Sequence, residues 1–454
     1  MRTSTFDVYN STTHELLATL HNATDADIEA AISSATLRLH QPTTGQQRQA
    51  MLLALRDQMA QHSATFATLI SQESGKTYND ALAEVHYANG YLTWFAQLAL
   101  SLDSPFETSD GIELWREPVG VVGAITPWNF PCAMIVRKLA AAIAAGCPFV
   151  VKPSELTPLS ALKIAEYTQL AGWDEGWLAI LPSDQAAAVG HVLTTDPRIA
   201  KFTFTGSTRV GKLLNVQCAA SLKRVSMELG GNAPLLVMAD ADVELAAKHC
   251  VLNKQRVSGQ TCVAINRIYV AQEVAEKFTK ALHVAVQQLR VGDPLEQTTD
   301  VGHMIHLDAA TKIHGMVEQA IAQGADVVCG GMHVAGSAFY PHTILTHVQH
   351  DDDLVCNEIF GPLYPIITVA GDVDEMIRLA NDTQAGLAAY VFSQNRETLN
   401  ECKRRCHYGM IGLNSAIISN PAAPFGGIKQ SGFGREGGSV GLDDFTSVKY
   451  IKPA

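Results

Sequence analysis

Between residues 119 and 229 short β-branched runs alternate with longer amphipathic stretches, a pattern that leaves a chain few choices of fold. Strands are expected over 119–125, 148–152, 199–203 and 225–229. Between them, helices are expected over 132–145, closed by Gly146, and over 159–170, closed by Gly172, glycine being the residue that most readily takes the left-handed turn ending a helix. Strands separated by helices run parallel, because a hairpin cannot join parallel neighbours, and such a sheet needs helices on both faces. The pattern restarts after Gly230-Gly231, with helices expected over 243–254, 273–289 and 309–323 and strands over 267–271, 364–369, 389–392 and 410–414. At 454 residues the chain is also too long for one hydrophobic core. The expected fold class is therefore α/β, with two doubly wound parallel-sheet (Rossmann-like) domains. Residues 103–117 and 447–451 alternate polar and apolar side chains and are expected to form a small separate sheet.

Composition excludes several classes of function. The formal net charge of −12, without any run of Lys and Arg, argues against nucleic acid as a partner. The longest apolar run, 139–151, contains Gly146 and Pro148 and falls short of the ~20 residues a membrane span requires. Residues 1–20 are polar and lack the apolar centre of an export signal, so a cytoplasmic protein is expected. The nine cysteines are an odd number without the tight spacing of a disulfide framework, and they are expected to be reduced. Cys402 and Cys406 are four apart on an expected helix, but no second Cys/His pair lies near them, so no metal site is expected.

Two segments carry candidate chemistry. The run from Gly206-Ser207 to Gly211-Lys212 leaves an expected strand and opens a helix, so its N–H groups and the helix dipole suit a phosphate. Leu213 stands where a P-loop needs Ser or Thr, which excludes the ATPase reading, and the orthodox G-x-G-x-x-G fingerprint is absent. Cys262 lies in Gly259-Gln260-Thr261-Cys262-Val263, small residues that let backbone approach a ligand, and a thiolate there is a strong nucleophile. Taken by itself it reads more readily as a buried structural thiol.

Its context decides between these readings. Pro127-Trp128-Asn129-Phe130-Pro131, Glu228-Leu229-Gly230-Gly231, Gln260-Thr261-Cys262, Glu358-Ile359-Phe360-Gly361-Pro362 and Pro424-Phe425-Gly426-Gly427 occur in the order and approximate spacing of the aldehyde dehydrogenase superfamily. Lys429, Ser431, Gly432 and Gly434-Arg435-Glu436 follow. The chain resembles that superfamily from about Phe6 onward. The resemblance implies a three-part catalytic site: Cys262 as nucleophile, Asn129 and the Cys262 N–H holding the oxyanion, and Glu228 as the base that activates water against the thioester. It implies that Trp128, Lys152, Glu155, Gly206, Ser207, Glu358 and Phe360 bind the cofactor. That cofactor is expected to be NAD, because a carboxylate at Glu155 repels a 2′-phosphate, with NADP left open.

For the substrate, Arg137 lies eight residues after Asn129, Arg256 six before Cys262 and Ser419 six before Phe425. Relatives that act on neutral aldehydes commonly carry aromatic residues at the first three of these positions, whereas the succinate semialdehyde dehydrogenase branch carries Arg, Arg and Ser, and this sequence is similar to that branch. Two guanidinium groups in an apolar channel are costly unless an anion neutralises them, and a substrate carboxylate does so. Phe425 is expected in the same substrate site. Ala264 departs from the branch, many members of which place a second Cys there, so a local redox disulfide is not expected. Three alternatives remain weighed: another ω-carboxylate such as glutarate semialdehyde, a neutral aliphatic aldehyde, and a silent relative serving as a binding or structural protein. The resemblance further implies a homodimer or homotetramer. The domains implied are 1–102 with 119–229 for the dinucleotide, 230–432 for the nucleophile, and 103–118 with 433–454 for oligomerisation.

Overall fold

The computed structural model describes residues 4–453; residues 1–3, part of the polar stretch 1–20, and residue 454 lie outside the described residues. Six strands form the first large sheet, in the spatial order Gly432–Phe433, Arg224–Glu228, Ile199–Thr205, Val121–Ile125, Phe149–Lys152, Leu178–Ile180. All neighbours are parallel except the first pair, where Gly432 faces Glu228 and Phe433 faces Met227 in antiparallel register. The chain starts at Val121–Ile125, works out to Leu178–Ile180, then returns to the other side at Ile199–Thr205. Winding therefore reverses between two adjacent strands, and in such sheets the crevice beyond the carboxyl ends at that point is where ligands bind.

The second sheet has seven strands in the order Asp326–Cys329, Thr343–Thr346, Leu363–Val369, Ile265–Ala271, Ala233–Val237, Ala388–Phe392, Met410–Leu413. Only its first pair is antiparallel. Its inner strand Ala233–Val237, beside the central Ile265–Ala271, is buried throughout and was not expected, because Pro234 argues against a strand paired on both sides. The structure accommodates the proline at a register irregularity between Ala233 and Pro234.

The helix Ala133–Ala145 is buried along its entire length and ends at Gly146, whose φ of 83° is the left-handed conformation expected there. No helix among the described residues is long and apolar enough to cross a membrane.

A third, antiparallel sheet joins Glu107–Ser109, Ile112–Pro118 and Thr446–Ile451. The expected segment 433–454 is thus divided: residues 446–451 enter this small sheet, but Phe433 edges the six-stranded one and Glu436 is buried at the foot of the site described next. The division follows from Glu436 being a carboxylate with two internal cations to meet.

Candidate active site

The switch point of the six-stranded sheet supplies the first wall. Ile125 pairs with Phe204, so the residues that follow them, Thr126 and Thr205, end adjacent strands, and the loops to Trp128-Asn129 and to Gly206-Ser207 leave from there. Thr205 in turn pairs with Glu228 at the end of the next strand. A cavity of about 300 Å³ opens between these ends and is lined by Trp128, Asn129, Thr205, Gly206, Ser207, Glu228, Cys262, Glu358 and Phe360, with Met134, Leu229 and Lys312 among its other walls. The structure therefore brings together the three expected catalytic residues and five of the seven expected cofactor residues in one hollow.

Each is held for a local reason. Asn129 donates from Nδ2 to the Gln260 carbonyl at 2.9 Å; the opposite amide orientation would set oxygen against oxygen, so the second N–H of Nδ2 is left for a ligand. Gln260 itself is tied down, its Nε2 donating to Val257 O and its Oε1 accepting from Ile305 N. Just before it, Val257, Ser258 and Gly259 have φ values of 50°, 51° and 74°, a left-handed run that is strained for valine and serine. The run is fixed by Val257 N–H donating to Asp80 and Ser258 Oγ donating to Gly302 O. It turns the chain so that Arg256 and Cys262 come from the two sides of one tight bend.

Gly231 packs against Cys262 so closely that a Cβ there would lie 2.3 Å from the Cys262 carbonyl oxygen. Burial pushes the Cys262 thiol up to about 12, with Glu228 and Glu358 adding to the rise and Arg137 opposing it. Glu228 is 4% exposed and neither carboxylate oxygen has a hydrogen-bond partner. Burial, then the neighbouring Glu436, raises its carboxyl well above the usual range. A raised carboxyl next to a nucleophile is the setting in which general bases and acids are found.

The cofactor residues fit a dinucleotide on several counts. Ser207 caps the helix Thr208–Ala219, accepting from Val210 N–H, and lines the cavity, so the helix N-terminus lies at the cavity edge. At Gly206 a Cβ would lie 2.4 Å from the Phe204 ring, so a side chain is excluded where a phosphate would approach. The hydroxyl of Thr205 is buried without a partner. Trp128 and Phe360 meet edge to face at 5.8 Å between ring centroids. Glu358 accepts from Gly231 N–H at 3.1 Å, and burial raises its carboxyl to about 7. Lys152 and Glu155 are not among the residues lining this cavity. They form an ion pair of 2.9 Å with each other, and Glu155 borders a separate hollow of about 340 Å³ beside Tyr9, Asn10 and His14. Lys312, unforeseen in the sequence, lines both the catalytic cavity and an adjoining groove that also reaches Ser207, Arg209 and Glu358.

The substrate residues fall differently from expectation: Arg137, Arg256, Ser419 and Phe425 are not among the residues lining the catalytic cavity. Arg137 is 1% exposed, and its guanidinium stacks over the Phe425 ring at 4.5 Å. It is not left without an internal counter-charge: Glu436 pairs with Arg137 Nε and with Lys138 Nζ. Nη2 of Arg137 nevertheless has no hydrogen-bond partner. Arg256 is half-buried with its guanidinium 5.1 Å from the Phe130 ring centre. Ser419 is half-buried in the loop after the strand Met410–Leu413. Glu436 and Lys138 had been passed over as site residues, although Glu436 stood in a quoted motif; what marks them is burial, which no local pattern reveals.

Comparison with known proteins now bears on these residues. The profile of the aldehyde dehydrogenase family matches residues 1–451. The chain belongs to the aldehyde dehydrogenase family. As an aldehyde dehydrogenase it is a nicotinamide-dependent oxidoreductase, and the silent-relative reading is set aside. The chain is 41% identical to the mitochondrial succinate-semialdehyde dehydrogenase of Oryza sativa over 98% of its own length and 86% of the relative's. It is 39% identical to the NADP(+) succinate-semialdehyde dehydrogenase of Escherichia coli over 98% and 93%. The crystal structure of succinate-semialdehyde dehydrogenase from Burkholderia pseudomallei superposes with a TM-score of 0.96 at 40% identity, covering 99% of this chain and 94% of that one.

Proposed function

We propose that this aldehyde dehydrogenase oxidises succinate semialdehyde to succinate, the observation that carries the reading being a buried arginine, Arg137, whose Nη2 has no hydrogen-bond partner and which lies one helical turn after Met134 of the cavity wall. Arg256, packed on Phe130, and the hydroxyl of Ser419 complete an anion-binding end for the substrate, and Phe425 forms the platform under Arg137. Relatives named for that substrate support this assignment. A carboxylate on a chain one carbon longer would meet the same charges, so glutarate semialdehyde is the competing substrate.

In this reading the Cys262 thiol gives up its proton to solvent and the thiolate Sγ bonds to the aldehyde carbon, and the oxygen, now an alkoxide, takes hydrogen bonds from Asn129 Nδ2 and the Cys262 N–H. Preorganised donors of this kind are each worth about 2.7–4 kcal/mol of transition-state stabilisation. When bound, nicotinamide would supply the acceptor for the hydride that leaves the former aldehyde carbon, and the alkoxide becomes the carbonyl of a thioester to Cys262. Glu228 then removes a proton from water as its oxygen attacks the thioester carbon, and Cys262 leaves as the thiolate. Glu358 and Phe360 hold the nicotinamide riboside; Trp128, Gly206 and Ser207 line its approach; Lys152 and Glu155 clamp the adenosine ribose. The Glu155 carboxylate favours NAD over NADP.

We assign the dinucleotide to residues 1–102 with 119–229 and the nucleophile to 230–432. The exposed Val448, Tyr450 and Ile451 on the strand Thr446–Ile451 support a homodimer or homotetramer through the three-stranded sheet. Cysteines without a disulfide among the described residues fit a reducing, cytoplasmic setting.

The test is NADH formation with succinate semialdehyde against butyraldehyde, which has the same carbon count without the carboxylate. A preference on the order of 10³ in kcat/KM that Arg256→Ala removes is the expected result. Equal rates for the two aldehydes would refute the anionic substrate.

A further inference from the structure

The two late motifs meet across a pair of backbone hydrogen bonds. Phe425 N–H donates to Glu436 O at 2.7 Å and Glu436 N–H donates to Phe425 O at 2.8 Å, an isolated antiparallel bridge. Directly opposed residues of an antiparallel pair project their side chains to the same side. The Phe425 ring and the Glu436 carboxylate therefore form two faces of one seat, and Arg137 occupies it: stacked on the ring at 4.5 Å and paired through Nε with Glu436. The seat is closed to water, with Arg137 at 1%, Glu436 at 5% and Phe425 at 5% exposure. A guanidinium is a rigid planar fork, so fixing its Nε edge and its face fixes where Nη2 points. Nη2 has neither a hydrogen-bond partner nor the ion pair that Nε makes with Glu436 Oε2.

We infer that Glu436 is a positioning and specificity-determining residue, whose carboxylate aims the Arg137 guanidinium at the anionic end of the substrate. The inference rests on the proposed role of Arg137. Glu436 also keeps the buried arginine neutralised when no substrate is present, which removes the cost that an uncompensated guanidinium would impose on the empty channel. Lys138, next on the same helix and paired with the other carboxylate oxygen, holds Glu436 from behind so that it cannot follow Arg137 toward the ligand. The site thus recognises a carboxylate with an arginine already oriented, and little rotamer freedom remains to be lost on binding.

The experiment compares Arg137→Ala, Glu436→Gln and Glu436→Asp for oxidation of succinate semialdehyde and butyraldehyde, with succinate binding measured separately by calorimetry. The Asp variant retains a charge for Lys138 but withdraws it by one methylene, so it guards against a Gln variant that does not fold. The expected result is that both Glu436 variants lower the succinate semialdehyde to butyraldehyde ratio of kcat/KM by about tenfold or more, through KM, and weaken succinate binding correspondingly. A fall of equal size for both aldehydes, or one confined to kcat, overturns the inference and leaves Glu436 a general structural or catalytic part. If Arg137→Ala removes the preference and the Glu436 variants keep it, the positioning role fails while the proposed substrate stands. If Arg137→Ala itself keeps the preference, Arg137 does not meet the substrate and both fail together.

Discussion

Lys76 Nζ donates to the main-chain carbonyl of Asn129 at 2.6 Å and to Glu84 at 2.5 Å, and all three residues are buried. The other Glu84 oxygen accepts the N–H groups of Cys132 and Ala133 at 2.8 and 2.9 Å, the first free donors of the helix that follows. One internal ion pair therefore grips the loop carrying Asn129 at both of its ends, and the Asn129 amide inherits its position from it.

Breaking that grip should show in rate before affinity. Glu84→Gln keeps an acceptor for the helix N–H groups but strands the Lys76 charge. The expected outcome is a loss of about 3–5 kcal/mol in stability with kcat down roughly tenfold and dinucleotide affinity retained. Thermal unfolding and single-turnover kinetics check it; unchanged kcat would mean that Asn129 is placed by its own bond to Gln260 alone.

Gly231→Ala asks whether the nucleophile's backbone tolerates displacement. The added methyl would stand 2.3 Å from Cys262 O, and backbone cannot yield as a flexible side chain does. Aldehyde oxidation should fall on the order of 10²-fold, as a shift of about 1 Å at a reacting group commonly costs.

Alkylation of Cys262 by iodoacetamide in the absence of ligands should accelerate continuously from about pH 7 to about pH 10, since the thiol is held up to about 12 and only the thiolate reacts. Peptide mapping separates it from the exposed Cys356. A plateau below about pH 8 would show a thiolate already formed at rest.

Glu358 gives a second pH signature. Its carboxyl is raised to about 7 by burial, against the opposing Gly231 N–H, Lys312 and Lys254, so it becomes ionised as pH rises through that value. Only the ionised form accepts hydrogen bonds from ribose hydroxyls with both oxygens. NAD affinity should therefore strengthen from about pH 6 to about pH 8 and lose that dependence in Glu358→Gln, as titration calorimetry can measure.

Much of this site was legible before any coordinates. Cys262, Glu228, Asn129, Glu358 and Phe360 sit in glycine- and proline-rich loops at strand ends, where backbone constraint and chemistry leave a joint trace in sequence. The strands expected over 119–125 and 199–203 appear at Val121–Ile125 and Ile199–Thr205, because β-branched runs buried on both faces have few other uses. Ala233–Val237 escaped, since a proline masks a strand paired on both sides, and so did the short edge pieces Leu178–Ile180 and Asp326–Cys329, which carry too few residues for a period to register. Glu436, Lys138, Lys76 and Glu84 escaped for another reason: a charged residue reads as surface until its partner is known, and these partners lie up to 298 positions away.

The edge strand at Gly432–Phe433 closes the sheet beside Glu228, and Glu436 follows it after Gly434 and Arg435. Synthesis runs from the N-terminus, so the segment that passes through Cys262 leaves the ribosome with its thiol among residues that cannot yet enclose it. No partial translation product ending before residue 436 holds the Arg137 seat, and none has the carboxylate that neighbours Glu228. The carboxylate that holds Arg137 is thus added long after the residues that line the cavity, the last of which is Phe360.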